Sequence, residues 1–295
     1  MTILYVGCVE SSYRLLKKLI ENKADVIGVI TKDSSTFNSD YCDLSTLCSD
    51  AGIPCHYSKN INDADSTSFI KSLAPDICFC FGWSQLIHKE VIDLFRMGII
   101  GFHPSALPMN RGRHPLIWAL ALGLTETASS FFLMKPGADD GDIISQVSVS
   151  ILYEDDARSL YDKVMETAEK QVEQIIKDLS ENRLVGCPQD SAKSNSWRKR
   201  SKNDGEIDWR MTSRSIYNLV RALTRPYIGA HFSYNGEEFK VWKVQEIKTE
   251  GLDNIEPGKV LAINADGTID VKAGIDGIRL LEFDHLKISE GEYFL

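Results

Sequence analysis

A histidine and a short run of carboxylates are the residues of this chain best suited to chemistry. Gly101-Phe102-His103-Pro104-Ser105 sets an imidazole where an apolar run gives way to a turn. Farther along, Gly137-Ala138-Asp139-Asp140-Gly141-Asp142 is a glycine-framed acidic loop. Imidazole titrates near neutral pH and suits proton transfer. A carboxylate beside it fixes its tautomer and favours its protonated form. Presented from neighbouring loops, the two form a general-base pair. Asp139 is the foremost partner by its place in the loop, with Asp140 and Asp142 as competitors. Between histidine and loop lies Arg111-Gly112-Arg113, whose guanidinium forks match phosphate oxygens; a solvated basic turn is the competing reading.

The elements that must position these residues follow from periodicity. Thr2 to Val6 is a short apolar run ended by Gly7, and a helical pattern from Ser11 or Ser12 puts Leu15, Leu16, Leu19 and Ile20 on one face. Either serine would cap that helix. Val26 to Thr31 reads as the next strand, and strand, helix, strand begins a parallel sheet with crossover helices. A polar loop, Asp33 to Asp40, precedes a helix near Leu44 to Ala51. Strands are expected at Ile53 to Tyr57, Ile77 to Phe81, Gly98 to Phe102, Ser129 to Met134 and Ile143 to Ile151. Helices are expected at Asp65 to Leu73, Leu86 to Phe95 and about Ser159 to Leu179. Asn182 to Asp204 is polar and basic, a connection laid over the first domain. After one helix, Ser213 to Leu223, the turn signals Asn235-Gly236, Pro257-Gly258, Asp266-Gly267 and Asp276-Gly277 separate alternating runs, which marks hairpins. The fold class is therefore α/β: a Rossmann-like, mostly parallel sheet in residues 1–182, a linker in 183–208, and a small, mostly antiparallel β domain resembling an open barrel in 209–295. Tyr217, Tyr227, Phe232, Tyr234 and Trp242 read as core and hairpin packing in that domain.

The chain has 295 residues, 43% hydrophobic and 25% charged, enough to bury a core. Its net charge of -9 argues against a broad nucleic-acid surface, which needs a basic stripe. No apolar run approaches the roughly 18 residues of a membrane span. The N-terminus has no basic region followed by an apolar run. Seven cysteines form no paired framework, no metal site is expected, and Cys78 and Cys80 read as buried thiols. Together these point to a cytoplasmic protein; the assembly is open, with a homodimer one form it could take. Gly7-Cys8-Val9-Glu10-Ser11-Ser12 lacks the Gly-x-Gly-x-x-Gly of dinucleotide sites.

The stretch from Phe102 to Ile144 resembles the folate-dependent formyltransferases. Their pattern is Asn-x-His before a Ser-x-Leu-Pro turn, then Arg-Gly, then a Gly-x-Asp-x-Gly-Asp loop. His103, Ser105, Leu107, Pro108, Arg111, Gly112, Gly137, Asp139, Gly141 and Asp142 match it. A second stretch, Asp204 to Gly236, resembles the linker and C-terminal entrance of sugar N-formyltransferases and methionyl-tRNA formyltransferases. The Arg-Gly-Arg turn and the Asn-Leu-Val-Arg-Ala-Leu-Thr-Arg-Pro-Tyr run look most like the nucleotide-sugar branch. The resemblance implies His103 and Asp139 as catalytic residues and N10-formyltetrahydrofolate as co-substrate. It implies a folate pocket from Phe81, Trp83, Ser84, Gln85, Leu86 and Ile87, faced by Gly137, Ala138 and Asp140, in keeping with ligand binding at the carboxyl ends of strands. It places Glu10, Ser11, Ser12, Ser105, Arg111 and Arg113 near the second substrate. One departure stands out. The family's asparagine, whose amide is held to bind the formyl oxygen, falls on Gly101; Asn110 and His114 lie near enough in sequence to substitute.

The leading expectation is formyl transfer to the amine of a nucleotide-linked amino sugar. Methionyl-tRNA formyltransferase is the alternative within the family, supported by the basic stretch Lys193 to Lys202 alone. A non-catalytic binder of folate or a nucleotide sugar, and a formyl-folate hydrolase, are the remaining readings.

Overall fold

In a computed structural model, residues 1–34 and 40–294 are described; the middle of the Asp33 to Asp40 loop lies outside them. The chain forms two compact units. One comprises Met1–Pro115, Thr127–Val149 and Asp162–Trp197, the other Leu116–Glu126, Ser150–Tyr161 and Arg198–Leu295.

The first unit runs β1 (Ile3–Val6), α1 (Glu10–Glu21), β2 (Val26–Thr31), α2 (Ser45–Ala51), β3 (Cys55–Tyr57), α3 (Ala64–Leu73), β4 (Ile77–Cys80), α4 (Lys89–Ile92), β5 (Ile99–His103) and β6 (Arg111–Gly112). After α5 (Pro115–Ala121), which belongs almost wholly to the second unit, come β7 (Glu126–Leu133), β8 (Ile143–Ser150), α6 (Ala157–Ser180), whose first residues also belong to the second unit, and β9 (Ser196–Trp197). Seven strands form one sheet in the order β3-β2-β1-β4-β5-β7-β8. β1 pairs in parallel with β2 and β4, as do β2 with β3 and β4 with β5, whereas β5 and β7 are antiparallel. The expected mostly parallel sheet is therefore present. Continuously apolar strands such as Ile77–Cys80 form its centre because crossover helices cover both faces. Leu15, Leu16 and Leu19 bury one stripe of α1. Beneath the site, the rings of Tyr5, Phe79, Phe81, Phe102 and Phe131 meet edge-on or tilted, with the Phe102 and Phe131 centroids 4.9 Å apart.

Two local expectations need correction. Neither serine caps α1: Val9 is the N-cap, and Ser12 lies inside the first turn. Its hydroxyl still accepts from the Cys8 and Val9 amides, at 3.1 and 3.2 Å, doing a cap's work from three residues on. The helix expected over Leu86 to Phe95 shrinks to Lys89–Ile92. Leu86 is exposed, and the His88 amide donates to the Asn62 side chain instead of into a helix.

The second unit holds α7 (Ser213–Leu223), β10 (Ala230–Tyr234), β11 (Glu237–Ile247), β12 (Val260–Ile263), β13 (Ile269–Lys272) and β14 (Gly277–Phe283). Its five strands are antiparallel in the order β10-β11-β14-β13-β12. Asn235 and Gly236 both have positive φ between β10 and β11, the two-residue hairpin that their types demand. Phe232 is buried against Trp209, Phe239 and Phe294, as its spacing predicts. Among the described residues, no helix is long and apolar enough to cross a membrane.

Candidate active site

The strand order reverses between β1 and β4, which opens a crevice at their carboxyl ends. Gly7 follows β1 there and Phe81-Gly82 follows β4. The two turns approach so closely that a Cβ on Gly7 would lie 2.4 Å from the Phe81 carbonyl oxygen. Ser12 binds them together, its hydroxyl donating to that carbonyl at 2.6 Å. The next strand, β5, ends on His103, beside this crevice.

His103 is buried, and its ring is gripped from two sides. Nε2 lies 2.9 Å from the Asn110 carbonyl oxygen. A carbonyl only accepts, so Nε2 carries the hydrogen and the neutral ring keeps its lone pair on Nδ1. Nδ1 lies 3.7 Å from Asp139 Oδ2, too far for a hydrogen bond but close enough to stabilise an imidazolium. The backbone carbonyl, rather than the expected carboxylate, thus fixes the tautomer. Asp139 Oδ2 is itself held by the Gly112 amide at 3.0 Å.

The structure separates the three acids of the loop. Asp139 alone faces His103. The Asp140 carboxylate folds back over Gly137, where a Cβ would come within 2.0 Å of Oδ2. Asp142 pairs with Lys135 Nζ at 2.8 Å. Gly141 sits so near the Leu133 carbonyl oxygen that a Cβ would be 1.6 Å from it, which explains the glycine.

Residues 4–176 match the family model described as formyl transferase, and residues 199–295 match that of its C-terminal domain. The chain belongs to the formyl transferase family. The transferase is 29% identical over 287 residues to a methionyl-tRNA formyltransferase from Caldanaerobacter subterraneus subsp. tengcongensis, covering 96% of this chain and 91% of the relative. Its fold is similar to that of a Helicobacter canadensis N-formyltransferase in complex with folinic acid and dTDP-3-aminofucose, with a TM-score of 0.71, 18% identity, and coverage of 94% and 98% of the two chains. It is also similar to HypX from Aquifex aeolicus in complex with tetrahydrofolic acid, with a TM-score of 0.67 and 17% identity; there it covers 95% of this chain but 43% of HypX.

Not every residue singled out from the sequence presents a side chain to the crevice of the transferase. Phe81 and Ile87 are core residues, and Phe81 offers only its carbonyl. Ser12 and Ser105 are buried; the Ser105 hydroxyl closes its own turn by donating to Met109 O at 3.1 Å. Ser11 is also buried, while Glu10 opens α1 and its amide donates to Asp40 O. Leu86, Gly137 and Ala138 are exposed. Arg113 Nη1 donates to the Ser84 carbonyl at 3.4 Å, so the basic turn meets the β4 loop. Arg111 is engaged by Gln189, at 3.2 Å from Nε and 2.7 Å from Nη2.

Sequence reasoning missed Gln189, Asn195 and the Asn110 carbonyl. Gln189 also donates to the Asp139 and Gly141 carbonyls, at 2.8 and 2.7 Å. Their signal was weak, since a polar linker carries no periodicity; long-range pairing of β9 with β6 and of Cys187 with Ile143 brings the linker there.

Gly101 lies two residues before His103 and so faces the same side of the sheet. A Cβ built there would meet the Phe132 ring at 2.8 Å and Met134 at 3.0 Å. Apolar side chains therefore occupy the space beside Gly101. Asn110, one of the expected substitutes, engages its backbone carbonyl with His103 and its backbone amide with Asn195 Oδ1 at 2.8 Å.

Proposed function

We propose that the protein transfers the formyl group of N10-formyltetrahydrofolate to the primary amine of a nucleotide-linked amino sugar. The observation that carries the reading is the His103 ring, with its lone pair on Nδ1 facing Asp139. Nδ1 takes a proton from the amine as the new carbon–nitrogen bond forms. Asp139 stabilises the imidazolium. His103 then returns the proton to the folate nitrogen as the old bond to the formyl carbon breaks.

The folate loops are fitted to a flat, edge-polar ring system. Among the described residues, Trp83 Nε1, Gln85 Oε1 and Asp140 Oδ1 are buried without a hydrogen-bond partner. One donor and two acceptors left unmet on the two loops suit the polar edge of a pterin. Arg111 and Arg113 are the groups for a diphosphate. The similarity to an N-formyltransferase in complex with a dTDP-linked amino sugar supports this acceptor class. The net charge of -9 disfavours tRNA as the acceptor.

The methionyl-tRNA reading is favoured by the 29% identity along nearly the whole chain, beside the basic stretch Lys193 to Lys202. The test is an acceptor screen with formyl-folate, read by mass spectrometry. UDP-, dTDP-, GDP- and CMP-linked amino sugars are set against charged initiator tRNA. A mass gain on one of the amino sugars is expected. Transfer to methionyl-tRNA alone would replace the sugar reading, and binding of folate and sugar without any transfer would favour a non-catalytic relative.

A further inference from the structure

The two groups that flank the His103 ring belong to residues in an unusual backbone state. Asn110 has φ 62° and Asp139 has φ 54°. Such left-handed conformations at residues other than glycine persist where surrounding structure over-determines them. In both cases one segment, residues 187–197, hydrogen-bonds the residue directly. Its start is tied to β8, where Cys187 and Ile143 exchange backbone hydrogen bonds at 2.8 and 2.9 Å. Gln189 then reaches both loops at once, donating to the Asp139 and Gly141 carbonyls while accepting from Arg111. Glutamine suits this bridge: it offers two donors and an acceptor, where glutamate lacks the donors and lysine lacks the acceptor. Asn195 accepts the Asn110 amide through Oδ1 and the Arg111 amide through its own carbonyl, at 2.8 and 3.1 Å. Trp197 O accepts from the Arg113 amide at 3.1 Å, and its close pass leaves no room for a Cβ on Gly112.

We propose that segment 187–197 is a strap that sets the protonation geometry of His103, with Gln189 and Asn195 as positioning residues. Asn195 holds the Asn110 carbonyl against Nε2, and Gln189 holds the Asp139 loop so that its carboxylate faces Nδ1. The proposal rests on the reading of His103 as the base, yet it is tested without any substrate.

The experiment uses full-length protein carrying 15N in its histidine rings, with the His103 signals assigned by comparison with His103→Gln. The neutral wild-type ring should show Nε2–H alone. In Asn195→Ala the Asn110 carbonyl is released and a population of Nδ1–H should appear, drawn by Asp139. Asn195→Asp, which keeps the accepting oxygen, should restore the wild-type spectrum. Gln189→Met keeps the length but none of the hydrogen bonds. It should leave Nε2–H in place while the Gly112 amide, which donates to Asp139, exchanges with solvent about 10-fold faster or more. A strap that served stability alone would lower the melting temperature and leave the His103 ring spectrum and Gly112 protection as in wild type, and that result overturns the proposal. If Gln189→Met does not fold, Gln189→Asn, one methylene short of the bridge, carries the same test. Failure of transfer in the acceptor screen would sink the acceptor reading but would leave these spectra untouched.

Discussion

At the scale of single residues, the site depends on which nitrogen of His103 is free. His103→Ala should lower kcat by about 10²- to 10⁴-fold while folate binding persists. A folded variant with near-wild-type turnover would remove His103 as the base. The acids make a sharper comparison. Asp139→Asn should cost most of the rate, because the imidazolium loses its facing charge. Asp142→Asn should cost little, because it removes an exposed ion pair with Lys135 worth about 0–1 kcal/mol. Turnover of the two variants across pH checks the assignment, and the reverse ranking refutes it. Gly101 is set for packing as much as for chemistry. Gly101→Asn must displace Phe132 and Met134 and should destabilise the protein by about 1–3 kcal/mol through overpacking. Denaturant unfolding measures this. A stability equal to wild type, with a gain in turnover, would mean that the pocket opens readily and only lacked a donor.

Elements matter here because the site is assembled from strand ends and the loops between them. β5 delivers His103, the loop after β7 delivers Asp139, and β6 places the Gly112 amide on its carboxylate. The acidic loop closes on itself only because Gly141 has no side chain beside the Leu133 carbonyl. Gly141→Ala should therefore displace the loop and reduce transfer at least as much as Asp139→Asn, even though Gly141 carries no reactive group. Unchanged kinetics in Gly141→Ala would show that the loop has slack which the close approach denies. The polar linker is tied to the candidate site at several points: three of its residues, Gln189, Asn195 and Trp197, supply acceptors or donors to the turn that runs from Asn110 to Arg113 and to the loop after β7.

For the molecule as a whole, charge and buried titratable groups set the working range. His231 on β10 is buried, and burial pushes its imidazole below the ordinary value despite nearby Glu238. The unfolded chain then binds a proton that the folded one resists. The stabilising contribution is present above the unfolded value of about 6.5 and is lost as pH falls below it. His231→Gln should flatten the fall in Tm between about pH 7 and pH 5. An identical slope in both proteins would refute the effect. Burial also pushes the Cys80 thiol up to about 12, so it should resist thiol reagents until the protein unfolds.

The sequence by itself determined the family, the order of most elements, and a histidine and an acidic loop as the candidate groups for proton transfer. These are local or linear properties: apolar periodicity, glycine and proline at turns, and a spaced motif. Asn235-Gly236 made its hairpin because only such residues take positive φ without strain. The tertiary structure alone decided which acid faces His103, since Asp139, Asp140 and Asp142 are chemically alike and only loop geometry separates them. It alone showed that a backbone carbonyl sets the tautomer, because every residue carries a carbonyl and no side chain marks the one that is used. It replaced the expected cap of α1 with Val9, and the helix over Leu86 to Phe95 with a single turn, where tertiary hydrogen bonds outcompete local propensity. Gln189 and Asn195 stayed hidden for the same reason. They lie far from His103 along the chain, and the pairing of β9 with β6 and the Cys187–Ile143 bridge bring them beside it.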